Sequence, residues 1–189
     1  MSPSLRIRPD ILIMLLLSLA NLILYWYVQN FEFIIYDDYA YVVSNPMVQN
    51  GLTMDGLKWA FTAFDHNAPM WHPLTWLSLM LDRQFYGMNA GGFHWTNLFF
   101  HMANTLLLFF TVRRMTDALW RSAFVAILFA VHPLHIESVA WISERKDVLC
   151  MFFWLLATWS YLHYIERLHY RWYFFTLLLF VLALMAKPM

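Results

Sequence analysis

Long apolar runs separated by short polar breaks make up most of this chain, and one polar-and-aromatic stretch interrupts the pattern at length. Runs near 11–28, 93–112, 118–134, 148–165 and 172–187 approach the ~20 apolar residues needed to cross a hydrocarbon core, so the pattern predicts five transmembrane helices. The interruption, 29–92, is too rich in aromatics for a linker and carries two helical periodicities. "LTMDGLKWAFTAF" sets Leu52, Leu57, Ala60, Phe61 and Phe64 near one face with Thr53 as N-cap. "WHPLTWLSLMLDRQFYG" opens a second helix at Pro73, a residue suited to a first helical turn. Both are expected to lie in the membrane interface, with "NAGGF" bending the chain into the next span. The predicted fold class is all-α: a polytopic helical membrane protein of about five spans. Its large external first loop carries the interfacial amphipathic helices, and residues 1–189 form a single membrane domain.

Composition agrees. The chain is 61% hydrophobic and 20% aromatic, with only 13% charged residues, far from the usage of a soluble domain. A net charge of zero with no basic stripe outside the span flanks excludes nucleic acid as a partner, and the lone Cys150 allows no internal disulfide. Arg6 and Arg8 ahead of "ILIMLLL", with small residues at Ser18-Leu19-Ala20, also fit a cleaved signal peptide. Apolar sequence runs on to an aromatic belt at Tyr25, Trp26 and Tyr27, which favours an uncleaved anchor.

Charge gives the orientation. Arg6, Arg8, Arg113, Arg114, Arg121, Arg167 and Arg171 fall at one set of span ends, the cytoplasmic side by the positive-inside rule. Glu32, Asp37, Asp38, Asp55, Asp65, Asp82, Glu137, Glu144 and Asp147 fall at the other. Chemistry is therefore expected on the acidic, extracytoplasmic face.

Three polar groupings stand out. In "YDDYAYVVSNP", Asp37 and Asp38 sit among Phe31, Phe33, Ile34, Ile35, Tyr36, Tyr39 and Tyr41. Apolar surroundings raise a carboxyl pKa toward general-base values, although most Asp pairs are simply solvated turns. His94, Asn97, His101 and Asn104 are spaced 3, 4 and 3 apart, which puts them within about 80° on one helical face. That stripe is expected to face other helices or a wet cavity, where hydrogen bonding between helices is the ordinary use of such residues. The third grouping is "HPLHIESVAWISERKD". Pro133 ends or kinks the helix at His132, leaving His135, Glu137, Glu144, Arg145, Lys146 and Asp147 at the mouth of the bundle. A salt-bridged interfacial turn anchored by Trp141 explains these residues, and so does a phosphate site using the Arg145 fork and the Lys146 point charge.

"HPLHIESVAWISERKDVL", with "YDDYAYV", "WHPLTWLSLMLD", "TNLFFHMANTLLLF" and "LALMAKPM", resembles the membrane half of the transmembrane and tetratricopeptide-repeat O-mannosyltransferase family, its bacterial relatives above all. That family in turn resembles the GT-C class of membrane glycosyltransferases. The resemblance implies a partial GT-C fold and transfer of a sugar, mannose in the named family, from a polyprenyl-phosphate lipid to a protein or glycan hydroxyl on the extracytoplasmic side. It implies a bacterial inner-membrane location, membrane lipid and a lipid-linked sugar donor as partners, and the catalytic acid at Asp37 or Asp38. A divalent metal is compatible with the class and is not specified by the residues. Substrate and phosphate contacts by Arg145, Lys146, His132, His135 and Glu137 are a physical inference added to the match.

Relatives continue into further spans and a tetratricopeptide-repeat domain that these 189 residues do not include, so the chain is expected to be an N-terminal fragment. A non-catalytic scaffold and, less well supported, a transporter are the alternatives. A transporter is disfavoured because no acid or base lies near the centre of a span. The reading makes one geometric demand: Arg145 and Lys146 should lie within reach of the Asp37–Asp38 turn.

Overall fold

The computed structural model describes residues 8–62 and 70–187; Arg6, Phe64 and Asp65, which entered the sequence reading, lie outside them. Among the described residues the chain is entirely helical and contains no strand. Five helices coincide with the five apolar runs: α1 Pro9–Tyr25, α5 Ala90–Thr116, α6 Leu119–Val131, α8 Arg145–Arg167 and α9 Tyr170–Ala186. Pro9 occupies the first turn of α1, which tightens into a 3-10 turn at Trp26–Asn30. Asn89 caps α5 by accepting from the Gly91 N–H at 3.0 Å. At the far end Asp117 takes a left-handed conformation, φ 53°, and closes α5. α6 stops where His132 turns extended ahead of Pro133.

Two stretches, Pro9–Asn30 and Ile142–Arg167, are long and apolar enough to cross a membrane. α6 and α9 are apolar but shorter, and α5 is diluted by its own histidine and asparagine stripe.

α1, α5 and α6 pack around Ile13, Leu17, Phe109 and Ala126; α8 and α9 form the most closely apposed pair. At one end Arg113 pairs with Asp10 at 3.7 Å, and Arg114 Nε donates to Glu166 at 2.8 Å. This is the arginine-rich end that the charge pattern assigns to one side.

The 29–92 stretch caps the opposite end. It contains α2 Pro46–Gln49, α3 Met54–Thr62 and α4 Pro73–Tyr86, together with a single π turn at Tyr39–Val43. Thr53 Oγ1 accepts from the Gly56 N–H at 3.0 Å at the start of α3, and Pro73 opens α4. The cap has a core of its own in Tyr41, Val42, Val48, Ala60, Trp76, Leu79, Met80, Phe93 and Ile142. It is bound to the bundle by Thr75 Oγ1, which donates to the Ala186 carbonyl at 2.8 Å, one of the orphan carbonyls at the end of α9. The bend into α5 needs glycine: a Cβ on Gly92 would sit 2.2 Å from the Tyr86 ring, and one on Gly91 would sit 2.5 Å from the Gln29 carbonyl oxygen. α7 His135–Ala140 and a 3-10 turn at Ile142–Glu144 complete the cap.

Candidate functional site

The two sequence segments singled out as chemical meet inside this cap, through a contact the sequence did not indicate. Asp38 is completely buried. Its Oδ1 accepts from the Ser143 backbone N–H at 2.8 Å, and its Oδ2 accepts from the Ile34 N–H at 3.2 Å. Burial pushes the carboxyl pKa up, and those N–H groups pull it back. Asp38 therefore staples the 31–43 segment to the Ile142–Glu144 turn. Asp37 is only partly buried and makes no hydrogen bond or ion pair among the described residues. The neighbouring acids thus differ: one is held, the other available.

Beside Asp37 lies an aromatic floor. Tyr41 stacks at 4.7 Å from Trp76 and 5.5 Å from His72, and Trp59 meets Trp76 at 5.1 Å. The Tyr41 phenol is pushed up to about 12, by burial first and then by the charges of Asp37 and Glu144. His72 is fully buried, with neither ring nitrogen hydrogen-bonded among the described residues. Burial, aided by the nearby Lys146 charge, takes it down to about 4, so it is neutral at physiological pH. Lys146 Nζ pairs with Glu144 at 2.8 Å and lies 5.6 Å from the Tyr41 ring centre. Lys146 and Glu144 thus form a charged rim beside Tyr41, four residues along the chain from Asp37, with Asp38 and Ser143 fixing the backbone beneath.

Arg145 requires a correction. It was expected at the surface, free to reach the Asp37–Asp38 turn or a phosphate, and instead it is fully buried. One Nη2 donates to Asp82 at 2.6 Å and to the Phe93 carbonyl at 2.9 Å. Nη1 donates to Ser78 Oγ at 2.7 Å, and Nε donates to Asn97 Oδ1. A guanidinium out of water needs a counter-charge and acceptors for its fork; Arg145 finds them in α4 and α5, which commits four of its five N–H donors. Burial raises the Asp82 pKa, and the Arg145 charge and the Thr96 hydroxyl, at 2.9 Å, draw it back. Sequence reasoning missed Asp82 as the partner, as it missed Tyr41, His72 and Ser143. The repeated His-Pro-Leu at 72–74 and 132–134 was the one visible hint at His72.

The remaining candidates lie elsewhere in the cap and bundle. His94, Asn97, His101 and Asn104 are all buried, at 1% exposure or less. His94 packs edge-on to Phe31 at 6.0 Å. Asn97 also donates to the Trp141 carbonyl at 3.0 Å, His101 Nε2 lies 3.2 Å from the Ala130 carbonyl, and Asn104 donates to the Val148 carbonyl at 2.8 Å. The stripe ties α5 to carbonyls at the end of α6, at the end of α7 and in the first turn of α8. His132 and Glu137 are exposed; His135 is half-buried, its ring 4.3 Å from Phe129, and its pKa is lowered by burial and then by His132. None of these three belongs to the Tyr41 rim. Among the described residues no group of three or more His, Cys, Asp or Glu is arranged to hold a metal ion.

No family model matches the chain, and no solved structure matches it. Curated proteins do. The chain is 38% identical over 137 residues to Protein O-mannosyl-transferase TMTC1 of Mus musculus, covering 67% of the chain and 14% of the relative. It is 36% identical over 137 residues to the Homo sapiens TMTC1 protein, covering 67% of the chain and 15% of the relative. With Protein O-mannosyl-transferase Tmtc1 of Drosophila melanogaster the match is 29% over 158 residues, covering 81% of the chain and 18% of the relative. The chain therefore spans less than a fifth of the length of these relatives, all of them animal proteins. By these matches the chain is a homologue of the TMTC protein O-mannosyl-transferases.

Proposed function

We propose that this chain carries the extracytoplasmic catalytic cap of a membrane glycosyltransferase, with α1, α5, α6, α8 and α9 as its spans. The enzyme moves a mannosyl group from a polyprenyl-phosphate donor to a hydroxyl of a protein acceptor. The observation that carries this reading is the Asp38–Ser143 hydrogen bond at 2.8 Å, which joins the Asp37–Asp38 turn to the segment carrying Lys146 at the bundle end opposite the arginines. A polyprenyl tail must stay in lipid while its phosphate sits at headgroup level, so the chemistry belongs at such an interface.

In this reading Asp37 takes the proton from the acceptor hydroxyl as that oxygen attacks the anomeric carbon and the bond to the lipid phosphate breaks. Lys146 stabilises the charge that develops on the departing phosphate, leaving Glu144 as it does so. Asp38 positions Asp37 by clamping the segment to Ser143. Arg145 serves as an internal strut and not as a phosphate ligand.

The test is transfer of labelled mannose from polyprenyl-phosphate mannose to protein in membranes enriched in the protein. Asp37→Asn should lower the rate by about two to four orders of magnitude, the usual worth of a general base, with little change in thermal stability. Wild-type transfer rates in Asp37→Asn membranes would overturn the assignment.

A further inference from the structure

The α8–α9 hairpin reverses at the arginine-rich end of the bundle, away from the cap. Leu168 makes the reversal by taking a left-handed conformation, φ 47°. The last residue of α8 and the start of α9 thereby share one open cavity of about 420 Å³, lined by Arg167, His169, Arg171, Trp172 and Phe175.

This lining holds two full cations and no acid. Arg113 and Arg114, at the same end, are both paired with carboxylates. The Arg167 and Arg171 side chains make no hydrogen bond or ion pair among the described residues. Glu166, the acid next to Arg167 in the chain, is already taken by Arg114, whose Nε donates to it at 2.8 Å. His169 accepts the Arg171 backbone N–H on Nδ1 at 3.3 Å, so its neutral ring carries the proton on Nε2 and adds a donor. Trp172 gives the cavity a fixed wall: its ring stacks on His163 at 4.4 Å, and its carbonyl accepts from Ser160 Oγ at 3.0 Å. Phe175 and Leu178 lie three apart on α9 and are 47% and 42% exposed. An apolar strip therefore runs from the cations along the helix.

We propose that this cavity binds the headgroup phosphate of an anionic glycerophospholipid, whose acyl chains lie along Phe175 and Leu178. Guanidinium forks suit phosphate oxygens, and basic sites beside membrane helices attract anionic headgroups. The lining favours an anionic lipid over a zwitterionic one, because it offers no acid to receive a choline cation. A soluble phosphate would use the same cations but leave the strip uncovered, so the strip selects the lipid. The site lies outside the proposed transfer chemistry and requires only that this end of the hairpin meet a membrane.

Native mass spectrometry of the purified protein in detergent, titrated with phosphatidylglycerol or phosphatidylcholine, tests this. Wild type should bind phosphatidylglycerol more tightly than phosphatidylcholine. Arg167→Gln and Arg171→Gln should each weaken phosphatidylglycerol about fivefold, the worth of one arginine near an anionic headgroup, with little effect on phosphatidylcholine. Arg121→Gln removes an exposed arginine at the same end but outside the cavity, and should leave both affinities unchanged. All three positions are exposed, so the fold should tolerate the changes. Equal affinity of wild type for the two lipids would overturn the site. An equal loss in Arg121→Gln and Arg171→Gln would overturn it too, by showing general charge attraction. Displacement of phosphatidylglycerol by inorganic phosphate at equal concentration would assign the cavity to a soluble phosphate and overturn the lipid assignment.

Discussion

At the scale of single residues, the structure separates two neighbours that the sequence presents alike. Asp38 is spent on backbone N–H groups, so Asp38→Ala should cost about 1–3 kcal/mol of stability by leaving buried donors unpaired, read as a fall in Tm. Asp37→Asn should spare stability and strike turnover. His72 carries the clearest pH signature. Its unfolded pKa near 6.5 exceeds the folded value of about 4, so the unfolded chain binds more protons between those values, and stability falls as pH drops through that window. At pH 5 the loss is about 2 kcal/mol. His72→Phe should flatten the dependence of Tm on pH between 4 and 6.5, and an unaltered slope would mean that another group titrates there.

At the scale of elements, Arg145 joins α8 to α4 and α5. Arg145→Met leaves Asp82 buried without its partner and should cost about 3–5 kcal/mol, whereas Arg145→Met with Asp82→Leu should regain most of the loss in a thermal melt. The helices themselves were legible, because apolar runs and the start and stop residues Thr53, Pro73 and Pro133 act over a few positions. The site was only half legible. That Asp37, Asp38 and the 132–147 block are candidates for chemistry could be read from polar residues set among apolar ones. Which of them touch could not, because Ser143 reaches Asp38 across 105 positions and Arg145 reaches Asp82 across 63, and no local pattern encodes such pairings. Arg145 was misplaced for the same reason: a charge at a helix mouth looks solvated until its partner is known.

At the scale of the whole molecule, the charges divide between two ends, with arginine pairs at one and the acidic cap at the other. In a Cys150→Ser background, a cysteine introduced at Asp55 should react with an impermeant thiol reagent from the extracytoplasmic side, while one at Arg114 should be protected; the reverse pattern would overturn the proposed orientation. The helices proposed as spans are also unequal. α5 has 27 residues and α6 only 13, so at 1.5 Å per residue α6 measures about 20 Å against a hydrocarbon layer of about 30 Å. With α6 as a span, a bilayer meeting so short a wall would thin to match it, dimpling beside Phe129 and His132. Headgroups would sink there, and a lipid with a bulky hydrophilic head would have a shorter climb out of the membrane at that flank than elsewhere around the protein.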